Sequence, residues 1–382
     1  MTGVEWVSLI AVALALVAIA LAVQVRRQQT RLHRQLEAAQ VSPEARVLAQ
    51  EVDEGGTLVA FVANPSKPDA AGLHDAVRRT AEQLGATQPL WFETTVDDPG
   101  VGQARAAVAA GADVVIAVGG DGTVRAVAEG LVGSGIPMGL VPIGTGNLLA
   151  RNLDLPLGDP LTALRIALTG TDRTIDVGWM RVLKFEDDVE DKVAEAADDA
   201  THAPHQPRDH IFLVIAGLGF DAAMVADTDP HLKAKVGWIA YFVAGFKHLR
   251  GDRVRVHVRV DDEKTTTARM RSLLVGNCGR LPGGLTLIPD AVLDDGWLDL
   301  AAIDTRGGIA GWAQLFGEVV LQGWGMSNDL PHKIGRIDHR RAQTVRVVVP
   351  AGEYAQVDGD IIGRVTEVAA RVDPGALVVR TA

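Results

Sequence analysis

The sequence predicts an α/β domain built on a parallel sheet, then a mostly antiparallel β-sandwich, with a single transmembrane helix ahead of both. Three observations carry this. Between Leu58 and Val141, short apolar β-forming runs alternate with helical patterns, the signature of a parallel sheet covered by helices. After Thr174, short strand-like runs separated by turn residues dominate. Near the start, Trp6 to Val23 is an apolar run in which Ser8 alone is polar.

That run of 18 residues would span roughly 27 Å as a helix, enough for a bilayer core. Glu5 precedes it, and Arg26, Arg27, Arg31 and Arg34 follow it. Positive charge on the carboxyl side places everything downstream in the cytoplasm. A cleaved signal peptide would need its basic cluster on the other side. Residues 1–25 are therefore expected to be a single-pass anchor in the cell membrane. Residues 26–56 are expected to form a charged helical linker whose arginines face anionic headgroups.

The α/β domain is assigned to residues 57–173. Its expected strands are 58–62, 90–93, 114–118 and 138–141. Its expected helices are 72–84, 103–110 and 124–131, with 163–168 ending the helical part. The sandwich is assigned to 174–382, with strands at 175–182, 211–215, 254–260, 269–275, 298–303 and 344–349; the chain end can return to the first domain. Residues 185–209 are acidic, rich in proline and histidine, and poor in apolar side chains, which predicts a disordered insertion. His202 and His205 lie there and His210 just after it, at irregular spacing that does not suggest a metal set. Residues 235–249 predict an amphipathic helix carrying Trp238, Tyr241, Phe242 and Phe246, packed on the sandwich.

Composition narrows the function. At 382 residues and 47% hydrophobic content the chain can build two cores. A net charge of −11 argues against a nucleic-acid partner, whose phosphates need a basic surface. Cys278 is the single cysteine, so no internal disulfide framework exists and a reducing compartment fits.

Two glycine turns carry the chemistry. The strand ending at Val118 runs into Gly119-Gly120-Asp121-Gly122-Thr123 and then a helix. The strand ending at Val141 runs into Pro142-Ile143-Gly144-Thr145-Gly146-Asn147 and then Leu148-Leu149-Ala150-Arg151. Strand, glycine turn, helix presents backbone N–H groups that hold phosphate. Two such turns on successive strands would lie side by side at the carboxyl edge of a parallel sheet. Neither matches a P-loop or a dinucleotide fingerprint. Thr123 and Thr145 can add hydroxyl donors. Asp121 is the unexpected residue. A carboxylate beside phosphates is repulsive unless it handles Mg2+, a proton or a hydroxyl; the plainer reading is a turn residue capping a helix.

With these turns the chain resembles the diacylglycerol kinase catalytic-domain family, which includes bacterial lipid kinases and sphingosine kinases. The resemblance runs from about Thr57 to the carboxyl terminus. It rests on Asn64-Pro65, the two glycine turns, Ala150-Arg151-Asn152-Leu153, Gly217-Leu218-Gly219-Phe220-Asp221-Ala222, Asn277 with Gly283-Gly284, Pro289 to Gly296, and Val357-Asp358-Gly359-Asp360. It implies ATP and Mg2+ as cofactors, a membrane lipid alcohol as acceptor, and transfer of the γ-phosphoryl group, with diacylglycerol the expected acceptor. It also implies nucleotide contacts from Asn64 and from Thr94 or Thr95, beside Gly119, Gly120, Asp121, Gly122, Thr123, Gly144, Thr145, Gly146 and Asn147.

For catalysis, many bacterial relatives have Asp-Gly-Glu near the carboxyl terminus with the Glu as base; Asp360 holds that place here, one methylene shorter. The resemblance implies that Asp121 acts through Mg2+; the matching Asp is assigned as the base in the sphingosine kinase branch, so that role stays open too. Many relatives carry an Asp directly after the Asn of the second turn, where this chain has Leu148. The first loop, Asn64-Pro65-Ser66-Lys67-Pro68, lacks the family's usual glycine. The resemblance further implies a structural Mg2+ bound by the Asp295 side chain and the Val292 and Trp297 carbonyls. Rival readings are a sphingoid-base or ceramide kinase, an NAD kinase, which shares the first turn, and a membrane-tethered nucleotide- or lipid-binding protein without turnover.

Overall fold

A computed structural model of the chain describes residues 57–66, 75, 89–186, 209–219, 253–281, 286, 288, 290–305 and 335–382. The expected anchor and linker, nearly all of the expected helix at 72–84, most of the 185–209 insertion and the aromatic helix at 235–249 lie outside these residues. Among the described residues, no helix is long and apolar enough to cross a membrane.

The first half alternates as the pattern predicts. It comprises β1 (Val59–Ala63), β2 (Leu90–Glu93), α1 (Val101–Ala109), β3 (Val114–Gly119), α2 (Asp121–Leu131), β4 (Met138–Pro142), α3 (Leu148–Asn152) and α4 (Pro160–Thr169). β1, β3 and β4 are buried along their whole length, which is why they read as unbroken apolar runs. The strands pair in parallel in the order β2-β1-β3-β4. The chain leaves β1 on one side for β2 and returns on the other as β3. The order therefore reverses between β1 and β3, the place where open sheets of this kind receive ligands. α2 buries Val124, Val127, Ala128 and Leu131. α4 starts at Pro160, with Asp159 accepting the Thr162 N–H at 3.0 Å, a capped start with proline in the first turn.

The second half is β-rich: β5 (Thr171–Phe185), β6 (Asp209–Phe212), β7 (Ile215–Gly219), β8 (Val254–Val260), β9 (Thr266–Met270), β10 (Ser272–Gly276), β11 (Leu298–Thr305), β12 (Gly335–Ala342), β13 (Thr344–Val357) and β14 (Asp360–Thr381). These strands pair with one another antiparallel. Met180, Phe212, Val256, Leu273, Leu298, Val347 and Val368 belong to one buried cluster between them.

Three details differ from the sequence reading. The strand expected at 211–215 is two strands, because Leu213 and Val214 turn their N–H groups to the Asp358 side chain. The strand expected at 269–275 is likewise split, at Arg271. β12 and β14 were not foreseen. β14 is 22 residues long; it pairs antiparallel with β13 and β5, and parallel with β4 at Val379 and Met138. One mixed sheet therefore runs continuously from β2 to β12.

Candidate active site

The two glycine turns touch. A Cβ added to Gly144 would lie 2.5 Å from the Gly120 Cα, so only glycine lets these backbones approach so closely. The Ile143 N–H donates to the Gly119 carbonyl at 3.0 Å. On the other side the Asn64 N–H donates to Val118 at 3.1 Å and the Thr94 N–H to Ala63 at 2.9 Å. Asn64, Thr94, residues 119–123 and residues 144–147 thus share one sheet edge. The Asn64 Oδ1 accepts from the Ser66 N–H at 2.9 Å. Thr94 is buried and Thr145 exposed. The Thr95 hydroxyl accepts the Asp98 N–H at 3.0 Å; Asp98 in turn accepts the Gly102 N–H in the first turn of α1.

α2 begins inside the first turn, at Asp121, with Gly120 as its extended N-cap. The N–H groups of residues 121–123 therefore belong to a helix's first turn, where no intrahelical acceptor exists. Thr123 is buried against Gly119.

Asp121 does not cap its own helix. Its Oδ2 accepts the Asn147 N–H at 2.9 Å and its Oδ1 the Leu148 N–H at 2.5 Å. The carboxylate sits at the start of α3 and fastens the second turn to the first. Burial pushes its pKa up to about 6, reinforced by the nearby Asp358 and opposed by the Leu148 and Asn147 N–H groups. Asn147 has left-handed backbone, φ 49°. Its side-chain amide grips both the N–H and the carbonyl of Gly144, at 3.0 and 2.8 Å, so it shapes the turn. The Arg151 Nε donates to the Gly146 carbonyl at 2.7 Å.

Asp358-Gly359-Asp360 forms the turn between β13 and β14, with Val357 opposite Asp360. Asp358 has left-handed backbone, φ 46°. Its carboxylate accepts the N–H groups of Leu213, Val214 and Ile215 at 2.8, 3.0 and 2.9 Å. Burial raises its pKa, opposed first by Arg125 and then by these donors. Asp360 reaches the first glycine turn: a Cβ on Gly122 would stand 4.0 Å from its Oδ2. Arg125, one helical turn after Asp121, donates to the Asp360 Oδ2 and to the Val357 carbonyl, each at 2.6 Å. Leu148 packs against the apolar core.

The Asp294-Asp295-Gly296 turn is fastened by its own backbone and by an arginine. The Asp295 Oδ1 accepts the Trp297 N–H at 3.1 Å, and its Oδ2 is ion-paired to Arg341. The same guanidinium lies 5.7 Å from the Trp297 ring centroid. Val292 is exposed. Both oxygens of the Asp295 carboxylate are thus engaged. A divalent ion at Asp295 would compete with Arg341 for the carboxylate.

Residues 58–180 match the family model for the diacylglycerol kinase catalytic domain, and residues 214–381 match that for a YegS C-terminal NAD kinase beta sandwich-like domain. The chain is 30% identical over 258 residues to a diacylglycerol kinase of Mycobacterium tuberculosis, covering 67% of this chain and 72% of that protein. It belongs to the diacylglycerol kinase catalytic-domain family. It is therefore an ATP-dependent kinase with an alcohol acceptor. A relative from Xanthomonas campestris, named "probable lipid kinase YegS-like", is 32% identical over 53% of this chain and 60% of its own. An uncharacterized Synechocystis protein is 28% identical, and the chain spans about half of it, 51%. A crystal structure of a diacylglycerol kinase from Bacillus anthracis shares the fold, with TM-score 0.55 at 17% identity over 85% of this chain and 97% of that one.

The family motifs lie on loops that the structure brings together, but they do not include everything that holds those loops. Arg125 follows the first turn with nothing in its sequence surroundings to mark it; it gains meaning through residues about 230 positions away, as |i−j| of 232 and 235. Asp176 reads as one more strand residue. It is buried and accepts the Gly296 N–H at 2.6 Å and the Gly375 N–H at 2.8 Å, tying the 294–296 turn to β14. An acid set between Ile175 and Val177 in an apolar strand segment was the signal the sequence carried.

Proposed function

We propose that the protein is a membrane-anchored lipid kinase that transfers the γ-phosphoryl of ATP to diacylglycerol, giving phosphatidic acid. The observation that carries this reading is the meeting of the Asp360 turn with the Gly119–Thr123 turn. One side supplies helix N-terminal N–H groups suited to phosphate, the other a carboxylate suited to a hydroxyl proton. Phosphoryl transfer needs little else from a protein than this placement and charge neutralisation. Mg2+, arriving with ATP, would neutralise phosphate charge beside Asp121.

In this reading the turns at residues 119–123 and 144–147 cradle the phosphates, with Asn64 and Thr94 or Thr95 flanking the nucleotide. Asp360, 46% exposed at its side chain, takes the proton of the lipid hydroxyl as oxygen attacks phosphorus. Leu148 supplies no carboxylate to orient it. The apolar run at Trp6–Val23 and the arginines behind it would hold the catalytic domains at the cytoplasmic face of the cell membrane, against anionic lipid.

The test is an acceptor panel: radiolabelled ATP with diacylglycerol, sphingosine, ceramide and NAD in detergent micelles. Diacylglycerol should be labelled at least tenfold faster than the others. Preferential labelling of a sphingoid lipid or NAD would replace the acceptor. No labelled product, with ATP bound, would favour a binding protein without turnover.

A further inference from the structure

We infer that Arg125 is a positioning residue for phosphoryl transfer: it docks the Asp360 turn onto the phosphate-binding turn and fixes the Asp360 carboxylate over it. This rests on the reading of Asp360 as the base. The sequence gives Arg125 no such role, since it is simply the fifth residue of α2.

The geometry argues against an ordinary surface pair, which contributes little. The Arg125 side chain is 19% exposed. It makes two bonds of 2.6 Å to one short segment, one to a backbone carbonyl and one to a carboxylate. Two acceptors three residues apart on a tight turn fix both its position and its orientation, which a planar guanidinium fork does well and an ammonium cannot duplicate. Arg125 also lies at the i+4 position from Asp121 on the same helix face. It therefore ties the carboxyl-terminal hairpin to the helix whose first turn faces the phosphates.

Charge points the same way. Asp121 and Asp360 flank the turn read as holding phosphate, with Asp358 buried behind them. Asp358 reinforces the rise in the Asp121 pKa, and Arg125 is the cation that opposes the rise in the Asp358 pKa. With Arg125 removed, the Asp360 turn would lose two anchors and the Asp360 carboxylate its fixed orientation. The Asp360 carboxylate remains reachable, being 46% exposed, so the pair orients the base without enclosing it.

The experiment compares Arg125→Met, Arg125→Lys, Asp360→Asn and the double variant Arg125→Met/Asp360→Asn in the full-length protein. Readouts are turnover on diacylglycerol in micelles, affinity for a fluorescent ATP analogue, and amide hydrogen exchange across residues 356–361. Arg125→Met should lower turnover at least thirtyfold with ATP affinity within about threefold, and should speed exchange in the turn. Arg125→Lys should recover part of the turnover, because it restores charge but not the fork. The double variant should be no more than about threefold slower than Asp360→Asn alone, since the two act as one unit. If Arg125→Met keeps more than a third of wild-type turnover while Asp360→Asn is inactive, the positioning role is wrong and the base assignment stands. If Asp360→Asn itself stays active, both fall. Should Arg125→Met fail to fold, Arg125→Lys decides: full turnover with unchanged exchange overturns the proposal.

Discussion

At Asp121 two roles compete for one carboxylate. Its oxygens accept the Asn147 and Leu148 N–H groups, so it joins the two glycine turns whatever it does for ATP. In Asp121→Asn, the amide nitrogen would face a backbone N–H, and one bond becomes a repulsion. The second turn should loosen, with ATP affinity and turnover both falling at least tenfold; equilibrium binding and steady-state assays check this, and unchanged ATP affinity would contradict it. The pH dependence has a defined sign. A pKa raised from 3.8 to about 6 means the folded state holds the proton more tightly than the unfolded one. Its contribution to stability is full below pH 3.8 and is lost as pH rises through about 6. Urea unfolding of wild type minus Asp121→Asn should show this difference falling between pH 4 and 6.5, then levelling. The sequence exposed Asp121 as anomalous, but not which helix it caps, because its partners lie 26 and 27 residues on.

The β13–β14 hairpin is the element that completes the site, and Asp358 secures it. Three N–H groups from the bend between β6 and β7 end on that one carboxylate. Replacing it with alanine leaves these donors without their acceptor, at about 1–3 kcal/mol for each buried group left unsatisfied. Removing a carboxylate that burial disfavours offsets part of this, so Asp358→Ala should lower unfolding stability by about 2–4 kcal/mol in urea titrations; a loss under about 0.5 kcal/mol would mean water replaces the carboxylate easily. The parallel strands were legible because buried strands read as apolar runs. β14 was not, since its buried residues alternate with charges and Pro374-Gly375 interrupts it. The division of 211–219 into β6 and β7 escaped notice for a related reason: the break is made by a side chain 143 to 145 residues away, invisible to local periodicity.

Across the whole molecule one sheet joins the two halves, with β14 reaching from the Asp360 turn to the edge of β4. The family motifs, read in order, mark the loops that meet at this edge; the contacts between them join residues too far apart in sequence to be read from it. No cleft motif lies before Thr57. A protein lacking residues 1–34 should thus be soluble and bind ATP. Its activity on diacylglycerol in bilayers should fall far more than its activity on a short-chain diacylglycerol in solution. Equal loss on both would make the amino-terminal segment part of the active fold. The most direct measurement on the lipid-kinase reading is radiolabel transfer from ATP to diacylglycerol by wild type, Asp360→Asn and Asp360→Glu, each with its ATP affinity. Asp360→Asn should bind ATP as wild type does yet transfer less than about one hundredth as fast, a loss within the range a positioned general base supplies, while Asp360→Glu stays active. Transfer by Asp360→Asn at more than about a tenth of the wild-type rate would contradict it and leave Asp121 or water as the base.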